Sequence, residues 1–168
     1  MGAWSYIYDA NGNLTEQYDA NTNRLCYSYD ALNRMTFKRE ATNNDCVSNL
    51  STLASWSYDP INGIGKLGSI SWVGKTPSSN DSDTFTYDDK SRLVSHLRQI
   101  NGQIFTMEYS DFDLLNRPQT MTYPDGEKVK TTYDSMGANE LAILDRANPN
   151  VIDLNLVSKV DHLSLIHI

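Results

Sequence analysis

Six residues, Gly63-Ile64-Gly65-Lys66-Leu67-Gly68, spell G-x-G-x-x-G, the loop that cradles a dinucleotide pyrophosphate when it opens a helix. Here Ser69-Ile70-Ser71-Trp72-Val73 follows, alternating polar with apolar, β-branched and aromatic residues, which predicts a strand. No cofactor is therefore expected. Asp9-Ala10-Asn11-Gly12-Asn13 and Asn80-Asp81-Ser82-Asp83 offer oxygen ligands of the kind calcium takes, but neither has the distal glutamate that completes such a loop. The first reads as turn chemistry and the second as part of a solvated polar loop, Thr76 to Asp83. His96, His162 and His167 form no ligand spacing for zinc, and neither H-E-x-x-H nor G-x-S-x-G occurs. Asn13-Leu14-Thr15, Asn49-Leu50-Ser51 and Asn80-Asp81-Ser82 fit the glycosylation sequon, which asparagine-rich turns generate by chance. No catalytic, cofactor or metal site is predicted, and the chain reads as a non-enzyme.

The aspartates that remain recur with a pattern. Tyr27-Ser28-Tyr29-Asp30-Ala31-Leu32-Asn33-Arg34-Met35 alternates aromatic and small residues, then turns. The Asp30 carboxylate can accept backbone N–H groups further along, and Asn33 tolerates the positive φ that closes such a turn. The same unit recurs with Tyr8-Asp9 and Gly12, with Tyr58-Asp59, with Tyr87-Asp88 and Arg92, with Phe112-Asp113 and Arg117, and with Tyr133-Asp134 and Gly137. The aromatic residues step by 21, 29, 29, 25 and 21 positions. A recurring period in this range marks a repeat architecture. One carboxylate at every turn is a structural requirement, whereas a catalytic pair would be singular.

The elements that would hold these turns are strands. The prediction is an all-β chain of consecutive antiparallel hairpins. Asn101-Gly102 between Ile100 and Ile104 signals a two-residue hairpin, and Tyr123-Pro124-Asp125-Gly126 another turn. From Thr36 to Ala54 the repeat lapses, and Val47, Leu50, Leu53 and Ala54 stand at helical spacing, so a short helix is expected in an inserted loop there. Cys26 and Cys46 either pair or remain two thiols; the sequence leaves both open.

The balance of 14 basic and 21 acidic residues, a net −7, argues against a nucleic-acid surface. No apolar run reaches the roughly 18 residues of a membrane span, and no signal peptide is recognised at the start. Leu163-Ser164-Leu165-Ile166-His167-Ile168 looks like the translation of a sequencing-library adapter. The expected organisation is a single truncated repeat segment over 1–162 with adapter read-through over 163–168, an internal slice of something larger.

The aromatic-Asp turns resemble the YD repeats of RHS proteins, as do Asn62-Gly63-Ile64-Gly65-Lys66-Leu67 and Tyr123-Pro124-Asp125-Gly126-Glu127. The resemblance runs from Trp4 to Gly137. Thr22 and Ser91 stand where that family usually has glycine, Lys66 where it has arginine, and Ala138 where it has Asn or Arg. The family includes bacterial polymorphic toxins, insecticidal toxin complexes and teneurins. It implies a spiralling sheet that closes into a hollow shell, secreted or at the bacterial surface, which encloses or presents a C-terminal toxin. The implied partners are neighbouring repeats of the same polypeptide and the enclosed domain. The aromatics Tyr8, Tyr29, Tyr58, Tyr87, Phe112 and Tyr133 would form a packing ladder. Asp9, Asp30, Asp59, Asp88, Asp113 and Asp134 would fix the turns. The alternative is an adhesion or carbohydrate-binding module, whose Trp and Tyr side chains would stack on surface glycans.

Overall fold

The computed structural model describes residues 3–21, 23–41, 45–74, 80–135, 137–144 and 152–157. They form thirteen strands: β1 Ser5–Tyr8, β2 Leu14–Tyr18, β3 Arg24–Tyr29, β4 Met35–Ala41, β5 Leu50–Tyr58, β6 Leu67–Val73, β7 Asn80–Tyr87, β8 Leu93–Ile100, β9 Gln103–Phe112, β10 Pro118–Thr122, β11 Lys128–Tyr133, β12 Ala138–Leu144 and β13 Ile152–Val157. All belong to one antiparallel sheet whose spatial order is the chain order. The expected hairpin array is what forms.

Two expectations fail. Leu50, Leu53 and Ala54 lie in strand β5, and no helix occurs among the described residues. Their helical spacing loses to pairing, because Ala54 is registered with Lys38 on one side and Trp72 on the other. The predicted solvated loop ends early as well. Asn80 to Asp83 belong to strand β7, with Asp81 and Asp83 buried, while 75–79 lie outside the described residues.

Register gives the sheet two chemically different faces, since directly paired residues share a face. One row runs Trp56–Ile70–Asp83–Arg98–Phe105 across β5 to β9. The row on the opposite face runs Ser28–Phe37–Ser55–Ser71–Ser82–Gln99–Ile104 across β3 to β9. Ser55 Oγ and Ser71 Oγ, 2.7 Å apart, bond to each other there. The hydrophobic core is thin. Among the described residues the buried apolar ones are Cys26, Val129, Ala142 and Leu144, and no large side chain is fully enclosed. Cohesion therefore rests on cross-strand pairs, each contributing roughly 0.2–1 kcal/mol, and on ties between hairpins.

Cys26 and Cys46 pair, with Cα atoms 5.7 Å apart. The bond holds the connection after β4 back against β3 and settles what the spacing left open.

Alternate connections of a meander leave the same end of the sheet. The turns that open at Asp9, Asp30, Asp59, Asp88, Asp113 and Asp134 accordingly line one rim. The connections around 19–23, 45–49, 101–102 and 123–127 line the other.

Candidate functional site

The aspartate rim is the feature that repeats, and it is built locally. Asp30 Oδ1 accepts the backbone N–H of Leu32 at 2.9 Å and of Arg34 at 3.0 Å. Oδ2 accepts Arg34 Nε at 2.7 Å. The Asp30 N–H donates to the Arg34 carbonyl, and the Asn33 N–H to the Asp30 carbonyl. This scheme recurs at Asp88 with Lys90 and Arg92, and at Asp113 with Leu115 and Arg117. Asp9 repeats it with Asn11 and Asn13, the Asn13 amide standing in for the guanidinium. The fourth turn residue has positive φ in each: Gly12, Asn33, Ser91 and Asn116. Each turn thus closes as a type I turn followed by a left-handed residue, the bulged hairpin form. The register slips beside the aromatic in five of these hairpins, at Tyr8, Tyr29, Tyr58, Tyr87 and Tyr133. Such bulges increase strand twist.

Two members differ. The insertion from Pro60 to Gly65 leaves the Asp59 carboxylate accepting the Gly65 N–H, with the Asp59 N–H donating to the Lys66 carbonyl. Asp134 closes in four residues, its Oδ1 accepting the Gly137 N–H at 3.0 Å.

Each turn is also tied to the next. Arg34, already held by Asp30, lies 4.4 Å from the Tyr58 ring and donates through both terminal nitrogens to Asp59, at 3.2 and 2.6 Å. Arg92 covers Phe112 at 4.1 Å and Arg117 covers Tyr133 at 4.2 Å. Lys66 Nζ stands 5.5 Å from the Tyr87 ring. In the other direction the aromatic hydroxyls donate to the strand leaving the previous turn. Tyr29 reaches the Leu14 carbonyl, Tyr58 that of Met35, Tyr87 that of Leu67 and Tyr133 that of Pro118, all at 2.8–3.0 Å. Phe112, at the fourth step, lacks the hydroxyl that would reach Leu93. Tyr8 belongs to the first hairpin and is exposed.

Electrostatics follow these contacts. Hydrogen bonds from Arg34, then from the Gly65 N–H, hold the Asp59 carboxyl down to about 2. The Arg34 backbone N–H leads in lowering Asp30, the Arg92 side chain in lowering Asp88, and the Asn13 amide in lowering Asp9. At Asp113 burial pushes upward, but hydrogen bonds from Arg117 and Leu115 carry it below its usual value. These are carboxylates kept ionised as acceptors, the opposite of a raised general acid.

Two buried carboxylates lie outside the turns. Asp83 receives Arg98 Nε and a terminal nitrogen, both at 2.7 Å, and stands 3.1 Å from His96 Nε2. Phe85 stacks on His96 with centroids 4.7 Å apart. Asp81 accepts the Asn101 N–H at 2.8 Å. Arg98 holds Asp83 ionised, so the cluster reads as a structural ion pair. Assigning 76–83 to a loop hid it. The alternation Asp81, Asp83, Phe85 against His96, Arg98 carried the signal. Among the described residues no group of three or more His, Cys, Asp or Glu is placed to hold a metal ion. The G-x-G-x-x-G stretch closes a turn and enters strand β6, without a helix.

The RHS Repeat family model matches residues 8–40, which span the first two aspartate turns. No curated protein matches. Among solved structures, the chain is similar to TcdB2-TccC3-TEV, with a TM-score of 0.65, 13% identity and 93% of this chain covered. TcdB2-TccC3-Cdc42 gives a TM-score of 0.60 at 15% identity over 83% of this chain. TcdB2-TccC3 without its hypervariable C-terminal region gives 0.59 at 15% over 83%. At these identities the likeness concerns the fold. The chain spans 7–8% of the length of those chains.

Proposed function

Because residues 8–40 match the RHS Repeat model and the sheet shares its fold with the TcdB2-TccC3 structures, we propose that this chain is a length of wall, a non-enzymatic segment that encloses or presents another part of a larger secreted polypeptide. The observation that carries the reading is the step-to-step tie along the rim. Each arginine bonds its own aspartate and covers the next aromatic, so its chemistry is consumed in joining neighbours. One similar structure is described as lacking a hypervariable C-terminal region. By that likeness, a variable C-terminal domain is what the wall would enclose. In this reading Tyr8, Gly12, Gly137 and the other turn residues are joints.

The test is limited proteolysis of the full-length protein. The C-terminal part should resist protease in the wild type and become cleavable when Arg34 and Arg117 are both replaced by alanine. Equal cleavage of that part in both proteins would reject enclosure.

A second reading, glycan adhesion, draws on Trp4, which is 55% exposed at the lip of a hollow of about 210 Å³. Gln17, Asp19, Asn23 and Glu40 supply polar groups there, an arrangement that suits a sugar ring stacked on indole. The other two tryptophans, Trp56 and Trp72, are half-buried in the sheet. Reproducible glycan-array binding that Trp4→Ala abolishes would favour this reading over the wall; an array without binding removes it.

A further inference from the structure

The tips of the aspartate rim carry side chains that their own turns do not use. Ile61 and Ile64 are 87% and 89% exposed, Leu115 is 71% exposed and Leu114 is fully exposed. Turn closure draws on backbone groups, the aspartate and the residue after the left-handed position, so these apolar groups stabilise nothing within their hairpins. Between the two apolar tips stands the turn at 88–92, whose tip is the exposed pair Asp89-Lys90. Across the three hairpins from 59 to 117 the order is apolar, acid–base, apolar. Successive hairpins lie about 10 Å apart, two strand spacings.

That order is its own complement. A two-fold axis through the turn at 88–92 sets Ile61 and Ile64 of one molecule against Leu114 and Leu115 of the other. It also brings Asp89 of each molecule to Lys90 of its mate. We propose that this rim is a self-association surface whose occupant is the rim of a second copy of the chain, docked by that two-fold arrangement. The apolar tips supply the burial, and the charge pair sets register and polarity. The proposal is independent of the wall reading, because it uses only the side chains that the joints leave over.

Charge reversal separates this surface from the terminal strands, which could also associate. Sedimentation velocity on the 168-residue chain should show concentration-dependent dimers. Asp89→Lys and Lys90→Asp each place like charges at the axis and should weaken dimerisation about tenfold or more. An equimolar mixture of the two variants should restore it, because each supplies the charge that the other lacks. Leu114→Asp should weaken dimerisation without rescue by either charge variant. Far-UV circular dichroism checks that all the variants fold. A wild type that stays monomeric at every concentration overturns the proposal. So does association that both reversals leave unchanged, or a mixture that fails to recover.

Discussion

The two rims of the sheet solve the same problem differently. Each must reverse the chain between antiparallel strands. On the aspartate rim one solution recurs, and its side chains reach the neighbouring turn: Arg34 to Asp59, Ser91 Oγ to the Asn62 carbonyl, Asn13 Nδ2 to Asn33. On the other rim the described turns have no shared scheme. Asp19 repeats the carboxylate scheme with Asn21 and Asn23. Asn101-Gly102 turns on two left-handed residues, Tyr123–Glu127 closes on Gly126, and a disulfide secures the connection after β4. A turn is free to vary where no side chain of its own links it to the next turn on the same rim. It repeats where its side chains also serve the next hairpin.

The largest expected effect is on the variable rim. Cys26→Ser, or reduction, should cost about 3 kcal/mol through lost loop closure, lowering Tm by about 6–12 °C. The loss should stay local, with hydrogen exchange rising in β3 to β5 and the aspartate rim beyond β8 unchanged. Opening across the whole sheet would contradict that locality.

Next comes Arg34→Ala, which removes an intra-turn bond, a ring contact and the bridge to Asp59 together. Tm should fall by roughly 5 °C. Exchange should rise in both the 30–34 and 59–66 turns, because they share the guanidinium. Asn23→Ala, at the matching position of the Asp19 turn, should raise exchange only around 19–23. Equal confinement of the two effects would erase the distinction between the rims.

Acid titration probes the same tie. Asp59 titrates at about 2 when folded, against its usual 3.8. Its contribution is therefore complete above the unfolded value and lost as pH falls from about 4 toward 2. Arg34→Ala should flatten that part of the stability–pH curve; an unaltered curve would place the acid sensitivity elsewhere.

Phe112→Tyr is expected to stabilise, by about 0.5–1.5 kcal/mol, by supplying a donor for the Leu93 carbonyl. A neutral or destabilising result in urea unfolding would mean that the fourth step is spaced differently from the other four. Smallest is Ser91→Gly. Relief of a left-handed serine at φ 60 offsets loss of its 2.6 Å bond to Asn62, leaving a change within about 0.5 kcal/mol.

Much of the fold was legible. Period-2 alternation with regularly spaced aspartates predicted hairpins, and Asn33, Asn101 and Gly126 do take positive φ. The errors fell where local pattern and pairing disagreed. Leu50, Leu53 and Ala54 have a helical spacing that β4 and β6 override, and Asp81 and Asp83 look like loop residues until Arg98 and Asn101 are opposite them. Lys66 stands where the repeat usually has arginine, and Asp59 takes its guanidinium from Arg34, 25 residues earlier. A departure in one repeat is compensated from its neighbour, and spacing alone does not display that.

By itself the sequence determined the strands, the turns and their recurrence, because alternation and turn propensity act within a few residues. The tertiary structure decided which turns share a rim, which charge meets which, and that Cys26 meets Cys46. Those outcomes depend on register, which brings together residues 15 to 29 positions apart and converts a recurring local motif into a continuous chain of contacts.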